Sequence, residues 1–288
     1  MDGGRVTFES GYARVVADLA RQALAVAFDA APHRARQGER RWPMAEALPA
    51  ARVLADAADD ADVAQLAVAA EQLNQALSDP AGKVTDGFGH ARPVYRWFAL
   101  HLLGTAARLA GHAAAIQHLQ QSAERLLARP VGDDRDPRLD IWRDAIAWQH
   151  GIARSRAAQI EPADEPAPLA PLGLDDLIDA WTYNELIGLH GLHLLALLRR
   201  DADAQTRARS AALYHLGHTQ PDYTTYQPWG LAAFASDART AVFAEQQLHD
   251  VATHLSIEGP GGAVLPALLL ADAASALAGG LAGAWPDR

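Results

Sequence analysis

Apolar residues recur every three to four positions along most of the chain, and this spacing is typical of helices that bury one face. Residues 187–198 (IGLHGLHLLALL) show the pattern clearly. Val- and Ile-rich stretches with strict alternation, which would indicate strands, do not occur. The pattern therefore predicts an all-α fold of about ten or eleven helices.

Proline and glycine positions set the expected ends of these helices. In the first half, helices are predicted at residues 9–30, from 43, from 62, from 93 to the break at 111, onward to 129, and at 138–160. In the second half, helices are predicted at residues 174–200, 203–218, 228–234, 239–255 and 263–284. Short breaks between neighbouring helices predict antiparallel helical hairpins.

A Pro- and acid-rich segment at residues 161–173 (EPADEPAPLAPLG) interrupts the helical pattern. We interpret it as a linker or a surface connection between two helical halves. The N-terminal half comprises residues 1–160, and the C-terminal half, which holds the candidate site, comprises residues 174–288. We favour one compact unit over two independent domains.

Two stretches of the chain resemble each other. Residues 98–109 (FALHLLGTAARL) align with residues 187–198, so that His101 matches His190. A short break and a second predicted helix follow in both places. This repeat predicts stacked helical hairpins arranged as an α/α-toroid or a solenoid.

Charge and cysteine content narrow the functional classes. The formal net charge is −10, and an acidic surface repels phosphate backbones, so we expect no nucleic-acid partner. The chain has no cysteine, which excludes disulfides, thiol catalysis and cysteine-ligated metal sites.

The apolar segment at residues 263–284 raises the question of membrane insertion. It carries Asp272 near its middle and Pro266 near its start. Because a central carboxylate costs about 2.5–3.5 kcal/mol on insertion, we interpret the segment as a buried closing helix and expect no membrane partner. The first residues lack the basic and apolar regions of a secretory signal, and we therefore expect a cytoplasmic protein.

The helix predicted at residues 174–200 carries polar side chains among its apolar ones. Tyr183 and His190 fall on one helical stripe, and His193 follows one turn later. A single histidine on an apolar face is usually a hydrogen-bonded core residue, whereas two histidines beside a tyrosine indicate a site. We therefore predict a catalytic role for His190 and ligand binding by Tyr183, Glu185 and His193.

Three aspartates at the start of the same helix match the DDxxD spacing that binds magnesium and a diphosphate: Asp175, Asp176 and Asp179. We interpret them instead as residues that cap the helix, because no second acidic motif and no basic diphosphate-binding pair accompany them. The sequence leaves metal and cofactor undefined.

Polar and aromatic residues are densest at residues 214–229 (YHLGHTQPDYTTYQPW). Such a cluster between two helices is typical of a loop that lines a pocket, although a long turn with helix-stopping prolines is the alternative. His215 and His218 offer either two metal-binding nitrogens or a base and an orienting group. The predicted catalytic residues here are His215, His218, Asp222 and Tyr223, and the predicted ligand-binding residues are Gln227 and Trp229.

The downstream half resembles uncharacterised bacterial helical proteins. The resemblance covers roughly residues 174–277 and rests on four motifs, at residues 185–190 (ELIGLH), 218–222 (HTQPD), 227–229 (QPW) and 244–249 (AEQQLH). Those proteins are similar to the α/α-toroid class that includes terpenoid cyclases, so the resemblance implies a toroidal helical fold. The chain lacks the central DxDD motif of the cyclases, and no cyclase residue role is carried over.

Two functional hypotheses follow. The first is a soluble helical-repeat protein that acts as an interaction or small-ligand-binding module, with a small molecule, another protein or a second copy of itself as partner. The second is an enzyme of lyase or hydrolase type that uses a His/Asp/Tyr pocket in the C-terminal half. The sequence leaves open whether the chain is an enzyme.

Overall fold

The computed structural model describes residues 93–109, 113–128, 136–154, 158–163, 165–174, 177–219, 227–258 and 264–277. The helices predicted within residues 1–92 lie outside this part of the chain. Within the described ranges the chain forms helices and no strand, so the predicted all-α class is confirmed there.

The described helices follow one another in a simple order. They are α1 (Pro93–Leu109), α2 (Ala113–Leu127), α3 (Pro137–His150), α4 (Ile178–Arg199), α5 (Ala202–His218), α6 (Leu231–Ala235), α7 (Ala241–Glu258) and α8 (Val264–Leu277). Most of the helices predicted in this part of the chain agree with these bounds to within a few residues.

The helix predicted at residues 138–160 is wrong in its C-terminal part. α3 ends at His150 because Gly151 takes the left-handed conformation, with φ 70° and ψ 25°, and its amide bonds back to the carbonyls of Ala147 and Trp148. Glycine adopts this conformation without a steric penalty and closes many helices in this way. The described residues that follow Gly151 are not helical until α4.

The core lies among α1, α3, α4 and the short helix α6. The most extensive packing joins α3 to α4, and α1 packs against α2 and α3. α6 touches α4, α5, α7 and α8. Four large aromatic side chains of the core are almost completely buried: Phe98, Trp142, Trp229 and Phe234. Closure of the helices into a toroid, or their extension as a solenoid, stays a prediction.

Part of the Pro- and acid-rich segment is bound to α4 and α5. The buried carboxylate of Glu185 in α4 accepts hydrogen bonds from the amides of Leu169 at 2.6 Å and Ala170 at 2.9 Å. Ser210 of α5 donates to the carbonyl of Glu165 at 2.6 Å. These bonds hold the segment against the helices, and the division into two halves stays a prediction.

α8 carries a charge into the core. Leu269, Leu270 and Ala273 of α8 are buried, and Asp272 among them is 3% exposed. Among the described helices, none is long and apolar enough to cross a membrane. A carboxylate buried in this way requires partners within the protein.

Candidate functional site

Asp272 of α8 binds two histidines that come from two other helices. His101 of α1 donates from Nε2 to Oδ1 at 2.8 Å, and His190 of α4 donates from Nε2 to Oδ2 at 3.0 Å. All three side chains are buried. We call these residues the His–Asp–His cluster. Each carboxylate oxygen thus receives a ring N–H, as a buried charge requires.

Hydrogen bonds around Gln149 of α3 fix the protonation of His101. Gln149 Nε2 donates to the backbone carbonyl of His101 at 3.0 Å. A carbonyl only accepts, so the amide oxygen of Gln149 must be the atom that faces His101 Nδ1, 3.1 Å away. Since this oxygen and the Asp272 carboxylate are both acceptors, both ring nitrogens of His101 carry protons. His101 is therefore an imidazolium cation.

His190 has a different protonation state. Its Nε2 donates to Asp272, and its Nδ1 accepts from the backbone amide of Gly230 at 3.4 Å. A backbone amide only donates, so Nδ1 is unprotonated and His190 is the neutral Nε2–H tautomer. Two histidines on one carboxylate thus differ in charge.

The charge of Asp272 is balanced within the cluster. Burial alone would raise the pKa of Asp272. The charge of His101 and the hydrogen bonds from His101 and His190 outweigh burial and hold the pKa of this carboxyl well below its usual range. Asp272 is therefore ionised at neutral pH, and its negative charge is matched by the positive charge of His101.

Aromatic rings enclose the imidazole of His190 on several sides. Trp142 stacks on it with a centroid distance of 5.7 Å and an interplanar angle of 13°. Phe98 and Trp229 approach it edge to face, at 5.4 Å and 5.3 Å. Gly191 makes room for the stack, since a Cβ there would lie 2.7 Å from Trp142 Nε1. The ring of His190 is thereby held in one orientation.

A second layer of hydrogen bonds holds Trp229 in place. Its Nε1 donates to the hydroxyl of Tyr183 at 3.1 Å, and this hydroxyl donates in turn to the side-chain oxygen of Gln227. Gln247 of α7 donates to the backbone carbonyl of Trp229 at 2.9 Å. The three residues are thus joined by hydrogen bonds behind the ring of His190. All three, Tyr183, Gln227 and Trp229, were predicted to bind a ligand.

A pocket opens beside the cluster, between α4, α6 and α8. Its volume is about 250 Å³ when the open mouth is included, and its enclosed part has room for a group the size of one water molecule. The apolar wall consists of Leu194, Leu197, Ala232, Ala233 and Ala276, and the remaining lining consists of His190, His193, Gly230 and Asp272. The site is thus mostly apolar, with a few polar groups on one side.

His193 is a polar lining residue of the pocket without a hydrogen bond to the described part of the protein. Its ring makes no hydrogen bond to the described residues, and its side chain is partly exposed. Burial lowers the pKa of His193 to about 4, so its ring is neutral at pH 7. A neutral imidazole offers one donor and one acceptor.

Glu185 and His215 lie together away from this pocket. His215 is completely buried, with Nε2 3.6 Å from Glu185 Oε2 and Nδ1 2.8 Å from the hydroxyl of Thr219. Glu185 also accepts from the amides of Leu169 and Ala170, so its carboxylate is bound to the Pro- and acid-rich segment. Neither residue lines the pocket.

The remaining predicted catalytic residues are not brought to the pocket in the described part of the chain. His218 is exposed at the end of α5, stacked on Tyr214 with a centroid distance of 4.2 Å. Asp222 and Tyr223 lie outside the described residues. No three His, Asp or Glu side chains among the described residues are grouped to hold a metal ion.

Sequence reasoning did not select His101, Gln149 or Asp272 as site residues. The sequence held a signal for two of them, namely the alignment of His101 with His190 and the position of Asp272 as the single acidic residue in an apolar segment, but none for Gln149. Comparison of the chain with models of known families, with curated proteins and with solved structures finds no match. The resemblance to the terpenoid-cyclase-like α/α-toroid class therefore stays a prediction.

Proposed function

We propose that this chain is a small-ligand-binding module whose ligand occupies the pocket between α4, α6 and α8. The observation that carries the proposal is the ring of His193. It lies on the pocket wall, and no described residue hydrogen-bonds to it. His193 is partly exposed, so its ring can hydrogen-bond to water, and a ligand that enters the pocket can take the place of that water.

The rest of the pocket supports a ligand with an apolar body. Five of the lining side chains are Leu or Ala. An apolar wall with a small number of polar groups is typical of small-molecule sites. Transfer of apolar ligand surface out of water is favourable by about 25 cal/mol per Å², and the cost of association offsets part of this gain. The fixed ring of His190 and the balanced Asp272 keep the polar side of the pocket in one geometry.

Titration with small aromatic probes tests the proposal. Phenol and toluene are added to the isotopically labelled full chain, and NMR shifts of the amides of His193 and Gly230 are followed. Ala233→Leu enlarges a side chain of the pocket wall and is expected to abolish binding, whereas Ala252→Leu, at an exposed position of α7, is the control. Equal binding by both variants would contradict a site in this pocket.

A second candidate is an enzyme of lyase or hydrolase type that uses the same pocket. It is supported by the carboxylate of Asp272, which holds His190 as the neutral Nε2–H tautomer. The amide of Gly230 would have to release Nδ1 before that atom could accept a proton. A carboxylate that orients a neutral histidine is a common arrangement for a general base. The site residues of such an enzyme would then include His190 and Asp272.

Hydrolysis of p-nitrophenyl acetate tests the hydrolase form of this candidate. His190→Gln removes the base and is expected to lower the rate to that of buffer. His249→Gln changes an exposed histidine of α7 and is expected to leave the rate unchanged. A rate that does not respond to His190→Gln would count against His190 as a base.

A further inference from the structure

We infer that the pocket selects an uncharged ligand that carries a hydroxyl group, and that His193 recognises this hydroxyl. The inference rests on the proposed ligand-binding function and specifies the chemical class of the ligand. Three features of the pocket carry it: the balanced charge of Asp272, the absence of cationic lining residues in the described part, and the free ring of His193.

A cationic ligand gains little from Asp272. One carboxylate oxygen already accepts from the imidazolium of His101 and the other from His190. A ligand cation would have to displace one of these N–H groups or share an oxygen whose charge is already compensated. Because the ligand would also lose its hydration on entry, the exchange is unfavourable.

An anionic ligand lacks a counter-charge. Among the described residues that line the pocket, none is Lys or Arg. The carboxylate of Asp272 lies in the same lining and repels a second negative charge, while the cation that balances it, His101, is not among the lining residues. Burial of an anion there would carry a desolvation penalty without compensation.

A hydroxyl group matches His193. The neutral ring presents one N–H donor and one lone pair, and a hydroxyl can either accept from the first or donate to the second. The enclosed part of the pocket has room for a group the size of water, so a hydroxyl fits where a carboxylate does not. The apolar body of the ligand then packs against the Leu and Ala side chains of the lining.

Four probes of similar size separate these possibilities. They are phenol, toluene, benzoate and benzylammonium, titrated at pH 7 into the full chain with NMR shifts of the pocket amides as the readout. We expect phenol to bind about tenfold more tightly than either charged probe, since an unpaired buried charge costs more than the hydrogen bond contributes. Benzoate or benzylammonium that binds as tightly as phenol would overturn the inference and leave the proposed function standing.

Two variants test the role of His193. His193→Leu fills the same position with an apolar side chain and removes the hydrogen bond. It is expected to weaken the binding of phenol about fivefold to tenfold and to leave the binding of toluene unchanged. His249→Leu, at an exposed position of α7, is the matched control and should change the binding of neither probe.

The outcomes separate the two proposals. If His193→Leu weakens the binding of phenol and of toluene equally, His193 only shapes the pocket and its role in recognising the hydroxyl is overturned. Failure of all four probes to shift the pocket amides of the unmodified chain would overturn the proposed function itself.

Discussion

His101 and Asp272 lie 171 positions apart in the chain and form a buried ion pair, with His101 Nε2 2.8 Å from Asp272 Oδ1. The pair joins α1 to α8 across the core. In the function that we propose, the same pair also sets the ligand preference of the pocket, because His101 balances the charge of the carboxylate that lines it.

Asp272→Asn tests the stabilising role of this ion pair. The substitution leaves the buried imidazolium of His101 without its anion, and removal of one partner of a buried pair typically costs about 3–5 kcal/mol. Asp203→Asn, at an exposed position in the first turn of α5, is the control and should cost less than about 1 kcal/mol. Urea unfolding measures both, and a similar loss in the two variants would contradict the pair's importance.

His150 is expected to make stability depend on pH. Burial and the nearby charge of Arg108 lower the pKa of His150 to about 4. In the unfolded chain a histidine titrates near pH 6.5. Between these values the unfolded state binds more protons, so the free energy of unfolding falls as the pH drops from about 6.5 to about 4.

His150→Gln isolates this contribution. The variant should flatten the dependence by up to about 1.4 kcal/mol per pH unit within that window. Urea unfolding at a series of pH values gives the two slopes. If the slopes of the variant and the unmodified chain coincide, burial of a neutral His150 is not the cause.

Gly191→Ala tests the stack of Trp142 on His190. An added Cβ would lie 2.7 Å from Trp142 Nε1, so the indole must move away from α4. Overpacking of this kind costs about 1–3 kcal/mol. Gly217→Ala in α5 meets no atom within 4 Å and should be neutral or stabilise by up to about 1 kcal/mol. Thermal unfolding gives the melting temperature of each variant. A shift of both melting temperatures in the same direction would contradict the proposed stack.

Glu185→Gln tests the attachment of the Pro- and acid-rich segment to α4. Loss of the carboxylate weakens the charge-assisted bonds to the amides of Leu169 and Ala170, and hydrogen exchange at these amides should accelerate about tenfold. Glu124→Gln, on the exposed face of α2, should leave their exchange unchanged. Unchanged exchange in Glu185→Gln would indicate that other contacts hold the segment.

The helical class and most helix ends in the described part could be predicted from sequence, because propensity and local stop signals decide them. α5 was predicted at residues 203–218 and is observed at Ala202–His218, since Asp201 caps its start. α3 was predicted too long because the helix-ending conformation of Gly151 competes with an apolar pattern that continues beyond it.

The site was less predictable because it depends on how helices cross. His190 and His193 were selected from one helix, where spacing is informative. Asp272 and His101 are brought to His190 by contacts between distant segments, which a periodic pattern does not specify. A lone carboxylate in an apolar helix signals that a partner exists, but its identity follows only from the packing of α1, α4 and α8.

Side-chain ¹⁵N NMR of the histidines at pH 7 tests the central claim most directly. The cluster requires two protonated ring nitrogens on His101 and only Nε2 protonated on His190, with a neutral ring on His193. Assignment by single His→Gln variants identifies each signal. A neutral His101 or a doubly protonated His190 would contradict the charge balance on which the pocket's preference for an uncharged ligand depends.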